Sequence, residues 1–246
     1  LSLLLTIVTV SAFDHERLKI TLESTRNLPI NVEHVFIIPE NDEIALNILK
    51  TTSLPVGQIK ISFDDNSGVY NAMNIGATIA SGTYVVFWNS GDLLYSISEL
   101  DTFLCELEAR EPIWAVAQGI LETGVSQKNS LADVRNFKDQ KAGTYISHQV
   151  VVCQRKTLFD LGLFHTKYLV AADTKMIKTL TQLSNPMVSD SLIVYIQNSR
   201  YASKFQRRSR YETAKLACLD LIFQGNYKPI INVCKREFRF IINLFD

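Results

Sequence analysis

The chain has 246 residues, enough to bury a full core as one large α/β domain or two small ones. Hydrophobic residues make up 47% and charged residues 20%, with only 10 Gly and 6 Pro, which excludes a disordered, collagen-like or low-complexity chain. Lys and Arg (25) balance Asp and Glu (25), so the whole-chain charge points neither to nucleic acid nor to a strongly acidic partner. The balance is local, however: from Arg200 onward ten basic residues face four acidic ones, and the first 199 residues carry the compensating acidic excess. The cysteines at 105, 153, 218 and 234 form no Cys-x-x-Cys pair and no Cys/His cluster, which speaks against a zinc site or a disulfide framework and for a cytoplasmic setting.

The first apolar run, residues 3–11, is continuous and β-branched. No basic residue precedes it and no small-residue cleavage pattern follows, so it reads as a buried parallel strand rather than a signal peptide. Further strands are expected at 32–38, 58–63, 84–89 and 114–119. Helices are expected between them at 16–25, 42–51, 69–80 and 97–110, each with apolar residues three or four apart. Gly82, just past the third helix, is expected to supply the left-handed conformation that closes it. Over 121–144 the periodicity fades, which reads as a long loop or lid. A strand follows over 145–153, then a short helix over 156–161 stopped at Gly162, a helix over 172–183, a strand over 192–196 and helical structure from Tyr201 onward, broken at 225–229. No stretch reaches the ~18 to 20 apolar residues that span a bilayer. The expected fold class is α/β, a mostly parallel central sheet flanked by helices over 1–199, with a basic amphipathic helical extension over 200–246. Ligands of such a sheet gather beyond the carboxyl ends of its strands.

Two segments carry the chemical signal. In Asp64-Asp65-Asn66-Ser67-Gly68-Val69-Tyr70-Asn71-Ala72-Met73-Asn74-Ile75-Gly76, a polar turn enters a helix whose first turns hold Asn71 and Asn74, three apart and on one face. Amide side chains are poor helix formers, so a purpose other than propensity placed them; Asn66 or Ser67 as a simple helix cap, with both amides facing water, is the plainer reading. In Ala80-Ser81-Gly82-Thr83-Tyr84-Val85-Val86-Phe87-Trp88-Asn89-Ser90-Gly91-Asp92, polar groups stand at the end of an apolar strand, where either a ligand site or an ordinary turn fits.

Together these segments resemble the family 2 glycosyltransferases of the GT-A fold, in particular the bacterial enzymes of capsule, O-antigen and exopolysaccharide assembly. The resemblance extends to Thr6–Phe13, to Ser147-His148-Gln149, to Phe159-Asp-Leu-Gly-Leu-Phe164 and to Tyr168-Leu-Val-Ala-Ala-Asp173, and so covers roughly residues 3–180. It implies inverting transfer of a sugar from a nucleoside diphosphate donor to a hydroxyl of a lipid-linked or polysaccharide acceptor. It places Ser11, Asn66, Gly68, Asn71, Asn74, Asn89 and Asp92 on the donor side and His148 and Gln149 on the diphosphate or acceptor side. Asp173 matches the carboxylate that deprotonates the acceptor. The family holds Mg or Mn through an Asp-x-Asp motif at the end of the fourth strand, where the cation neutralises the leaving diphosphate.

The departures concern charge. Asn89-Ser90-Gly91 stands at the metal motif, leaving Asp92, alone or with Asp64 or Asp65, as the carboxylate for a weakly bound cation, or else a metal-poor donor site; Asn71 and Ile75 replace an Asp and a basic residue, and Glu40 falls near the Asp that ends the second strand. A catalytically silent relative that binds a nucleotide sugar or a partner protein is the alternative these losses leave open. The basic tail reads either as a helix covering the core or as a peripheral anchor on the anionic inner membrane face, and no nucleic-acid recognition module accompanies it.

Overall fold

The computed structural model describes residues 2–52, 58–121 and 146–197, together with Tyr211, Glu212, Lys215 and Leu216. The loop or lid expected over 121–144, Leu121 apart, and nearly all of the segment from Arg200 lie outside the described residues. The strands are β1 (Leu5–Val10), β2 (Val32–Pro39), β3 (Ile59–Asp64), β4 (Tyr84–Asn89), β5 (Leu93–Leu94), β6 (Trp114–Leu121), β7 (Val151–Gln154) and β8 (Met187–Ile196). The helices are α1 (His15–Ser24), α2 (Glu43–Thr51), α3 (Val69–Ile79), α4 (Ile97–Arg110), α5 (Arg155–Asp160) and α6 (Ala172–Leu183).

The strands form one sheet in the order β3-β2-β1-β4-β7-β6-β8-β5. β1 to β4 are mutually parallel, β7 runs antiparallel to both β4 and β6, β8 is parallel to β6, and β5 caps the edge antiparallel to β8. Every residue of β1 and β2 is buried, as strands covered on both faces require. β2 shows how the two-residue period divides the core: Phe36 and Ile38 pack with Leu18, Leu22, Ala45 and Leu49 of α1 and α2. Val35 and Ile37 belong instead to the main core with Met73 and Ala77 of α3.

Three expectations change. Gly82 is not left-handed; α3 closes at Ala80, whose N–H returns to Gly76. The glycine is there for close approach, since a Cβ at residue 82 would stand 2.7 Å from backbone atoms of Leu5 and Thr6. The strand expected over 145–153 is a 3-10 turn, His148–Val150, followed by the short β7; Val150 N–H donates to Ser147 O rather than to a ladder partner. His148 and Gln149 therefore sit in a turn at the strand entrance. β8 starts five residues earlier than its apolar run suggests, because Ser189 and Ser191 are buried inside it.

Candidate active site

The parallel register sets the site. Val10 pairs with Ile37 and with Asn89, and Pro39 pairs with Asp64, so the carboxyl ends of four strands open on one edge. Ser11 continues β1 onto that edge, its N–H bonded to Ile37 O and its hydroxyl donating to Ser90 Oγ at 3.2 Å.

The turn after β4 folds back on itself. Asn89 N–H donates to Asp92 Oδ2 at 2.7 Å, and Asp92 N–H returns to Asn89 O. Asp92 is 1% exposed. Burial pushes its carboxyl up to about 6, against the pull of the Asn89 amide, the His148 ring and the Gln149 side chain. A hard divalent cation needs outward oxygen ligands. Asp92 turns inward, and among the described residues no three His, Cys, Asp or Glu side chains converge on a metal position. The residues present do not fit the metal seat that the resemblance implies.

Gly91 has φ +98°, and a Cβ there would stand 2.3 Å from Arg17 Nε, which itself donates to Ser90 O. Gly91→Asp is therefore expected to strain the turn and displace Arg17 rather than rebuild an acidic motif. Chemical denaturation should show a loss of about 1–3 kcal/mol, and Mn calorimetry should show no gain in affinity over the unmodified chain.

At the end of β3, Asp64 is 7% exposed, and its Oδ1 has no hydrogen-bond partner among the described residues. Burial raises its affinity for a proton, the Asn66 amide opposes this, and the Asp65 and Glu40 charges reinforce it. Asn66 takes a left-handed φ of 62°, and Gly68 precedes α3 with no side-chain cap, so neither Asn66 nor Ser67 caps the helix. The two asparagines diverge in use. Asn71 Nδ2 reaches Asp65 Oδ1 at 3.4 Å on the cleft lip. Asn74 clasps Phe164 in both directions, Nδ2 to its O and Oδ1 from its N–H, each at 2.9 Å, which holds the loop after α5 against α3.

Across the cleft, the first turn of α6 carries Asp173, 5% exposed. Its Oδ1 accepts from Tyr70 Oη at 3.0 Å and from Thr174 N–H at 2.6 Å, and its Oδ2 lies 3.1 Å from His148 Nδ1. Burial alone would raise its affinity for a proton, but the His148, Thr174 and Tyr70 contacts together hold the carboxyl below the usual carboxylate range. His148 Nε2 in turn lies 3.5 Å from Asn89 Nδ2 at the end of β4. Gln149 points the other way: it is 6% exposed, its carbonyl accepts from Trp88 Nε1, and its side chain engages Ser147 and Asp92. Asp173 and His148 thus meet at the cleft, whereas Asn74 and Gln149 serve the walls behind it.

Two residues here were not singled out by sequence, whereas Asp64 was expected only as a companion of Asp92 in holding a cation. Tyr70 lies inside the motif. Glu212 carried no local signal. The α6 N-cap, Ala171, has no side-chain cap of its own. Glu212, 2% exposed, accepts from the N–H groups of Leu169, Val170 and Ala171 at 2.9–3.1 Å. A carboxylate at that end of a helix is favoured by the dipole and by the free amides, and it ties the chain beyond Arg200 to the helix that presents Asp173.

No protein-family model matches the chain. Curated relatives from Mycobacterium bovis and Mycobacterium tuberculosis, each a PGL/p-HBAD biosynthesis glycosyltransferase, are 28% identical over 113 residues. That match spans 45% of this chain and 42% of the relative, so it covers less than half the length of the curated proteins. Among solved structures, S. aureus TarS 1-349 with UDP superposes with a TM-score of 0.71 at 15% identity, over 96% of this chain and 72% of that one. The same protein with UDP-GlcNAc gives 0.70 at 15%, over 96% and 73%. A mannosyltransferase from Pyrobaculum calidifontis with GDP-Man and Mn2+ gives 0.64 at 14%, over 93% and 68%. The chain has the GT-A glycosyltransferase fold, and its relatives in sequence are glycosyltransferases.

Proposed function

We propose that the chain transfers a glycosyl group, with inversion, from a nucleoside diphosphate sugar to a hydroxyl of a lipid-linked or polysaccharide acceptor. The observation that carries this reading is that a carboxylate oxygen on Asp64, without a partner among the described residues, and the linked Tyr70–Asp173–His148 group both lie at the carboxyl-end edge of the parallel strands. A buried acceptor without a donor is costly in free energy, and a nucleobase N–H or a ribose hydroxyl would satisfy it. In this reading Ser11 and Asn89, which follow or end β1 and β4, and Asn66, Gly68 and Asn71, at the entry to α3, would receive the donor, and the N-terminus of α3 would favour its diphosphate through the helix dipole. Asp173 and His148 stand where the acceptor proton must go.

A divalent cation of the Mg or Mn kind neutralises diphosphate charge where one is bound; here its ligands would come from the donor's phosphate oxygens rather than from Asp92. The basic residues from Arg200 onward support an approach to an anionic membrane surface. No described helix is long and apolar enough to cross a membrane.

A panel of nucleoside diphosphates tests donor binding directly. At a hundred times its dissociation constant, a ligand raises stability by about 2.7 kcal/mol, so UDP or GDP at millimolar level should shift the thermal midpoint by several degrees, and Asp64→Ala should reduce the shift. Absence of any shift across the panel, with and without Mg or Mn, would sink the reading.

A further inference from the structure

We infer that His148 Nε2, not the carboxylate of Asp173, accepts the proton of the acceptor hydroxyl, and that Asp173 is the positioning residue behind it. The inference rests on the glycosyl-transfer reading and divides the roles at that site.

The geometry assigns the ring. Asp173 takes four donors: Tyr70 Oη, Thr174 N–H and Thr174 Oγ1 on Oδ1, and the His148 ring on Oδ2. An ionised carboxylate can only accept, so the hydrogen in the His148–Asp173 contact belongs to Nδ1. The neutral imidazole then carries its lone pair on Nε2. That atom points at the carboxyl end of β4, where Asn89 Nδ2 is a long 3.5 Å away. A hydroxyl entering beside Asn89 therefore has only that long amide contact to replace at the His148 Nε2 lone pair, whereas both oxygens of Asp173 are engaged and its side chain is half as exposed, 7% against 14%.

Basicity agrees with the geometry. The contacts that hold Asp173 ionised also make it a weak proton acceptor. A buried carboxylate that fixes the tautomer of an imidazole and stabilises the imidazolium as it forms is a recurring solution in acyl transfer, and the same logic serves here. In the step, the acceptor O–H proton passes to Nε2 and the oxygen bonds to the anomeric carbon. The bond from that carbon to the diphosphate oxygen breaks, and the electron pair leaves with the nucleoside diphosphate. Asp173 gains no proton. The charged groups around the ring are Asp173 on α6 and, at longer range, Asp92 in the turn after β4; Tyr70 on α3 reaches it only through Asp173.

Two measurements on the full chain decide the matter. Nitrogen-15 NMR of histidine-labelled protein, with the His148 signals identified by their loss in His148→Gln, should show the Nδ1–H tautomer; an Nε2–H tautomer overturns the inference. Release of nucleoside diphosphate from a panel of UDP-, GDP- and dTDP-sugars, with water as acceptor, then reads the chemistry. His148→Ala should lower release about 10²–10⁴-fold, and added imidazole should restore part of it. His148→Gln serves as the second variant if alanine disturbs the fold. Asp173→Asn, whose amide oxygen can still accept from Nδ1–H, should keep measurable release together with the Nδ1–H tautomer. Release undiminished in His148→Ala, a defect that imidazole leaves untouched, or Asp173→Asn inert at every pH overturns the role division while transfer by the unmodified chain stands. Stabilisation by a donor with no release from the unmodified chain fails the transfer reading itself, and the inference with it.

Discussion

Glu33→Ala is expected to destabilise the fold by about 2–4 kcal/mol, the cost of leaving buried hydrogen-bond donors without their acceptor. Glu33 lies on β2 with no exposed surface, at the amino end of the sheet and opposite the candidate site. Its Oε1 accepts from Thr6 Oγ1 on β1 at 2.6 Å and from the N–H groups of Ser81 and Gly82 before β4, and its Oε2 pairs with Lys60 Nζ on β3 at 2.8 Å. One carboxylate thus pins four parallel strands. Burial works against the ionised form, yet the Lys60, Thr6 and Ser81 contacts prevail and hold the group below its ordinary value. The stability it gives is therefore complete above about pH 4.5 and is lost as pH falls through the lower folded value. Lys60 is partly exposed and can turn to water when Glu33 is removed; Thr6 and the Gly82 amide, both buried, cannot. Glu33→Gln keeps an acceptor for them and should lose less than Glu33→Ala. Denaturant midpoints at pH 7 measure both, and an alanine variant within 1 kcal/mol of the unmodified chain would show that this end of the sheet is held by packing alone.

Much of this architecture was legible because it repeats. β-branched runs and helical periods mark β1 to β4 and α1 to α4 to within two residues, and the strand-end motifs fall at the carboxyl-end edge of the sheet. What periodicity cannot carry is side-chain direction at irregular positions. Ser147, His148 and Gln149 look like strand residues because Tyr145, Ile146 and Val150 to Cys153 surround them. The local bond from Val150 N–H to Ser147 O makes a turn instead, and that turn sends His148 to the cleft and Gln149 to the core. Asp92 and Asn74 sit in motifs, yet both close local structure, because an inward carboxylate or a clasped amide has the same sequence as an outward one. Glu212 was out of reach for another reason: its three amide partners lie 41 to 43 residues away with no charge of their own. Two-residue strand β5 is too short for any period, though Leu93 and Leu94 complete the sheet edge beside β8.

The buried His34 carries the second large effect, on the response to acid. His34 has no exposed surface; its ring stacks on Phe36 with centroids 3.9 Å apart, Nε2 meets Thr9 Oγ1 at 2.8 Å and Nδ1 meets Thr25 Oγ1 at 3.0 Å. Both hydroxyls can serve a neutral ring, while an imidazolium would be a charge in an apolar core. Burial accordingly pushes the group down to about 3 from 6.5. Between those values the unfolded chain holds a proton that the folded chain lacks, so stability from His34 is complete above pH 6.5 and drains away as pH falls towards 3. At pH 5 the loss is about 2 kcal/mol, one and a half pH steps at about 1.4 kcal/mol each. Asp92 and Asp64 pull the other way, since their raised affinity makes the folded state bind protons first, and the whole-protein curve is flatter than His34 alone would make it. The effect is therefore read as a difference. His34→Gln removes the titration and also disturbs the Thr9 and Thr25 contacts, so it should destabilise the chain at pH 7. Its cost at pH 5 should be smaller by about 2 kcal/mol, because only the unmodified chain loses the His34 contribution there. Urea denaturation of both proteins at the two pH values gives the number, and a variant whose cost is the same at pH 5 and pH 7 would mean that the His34 ring titrates normally inside the fold.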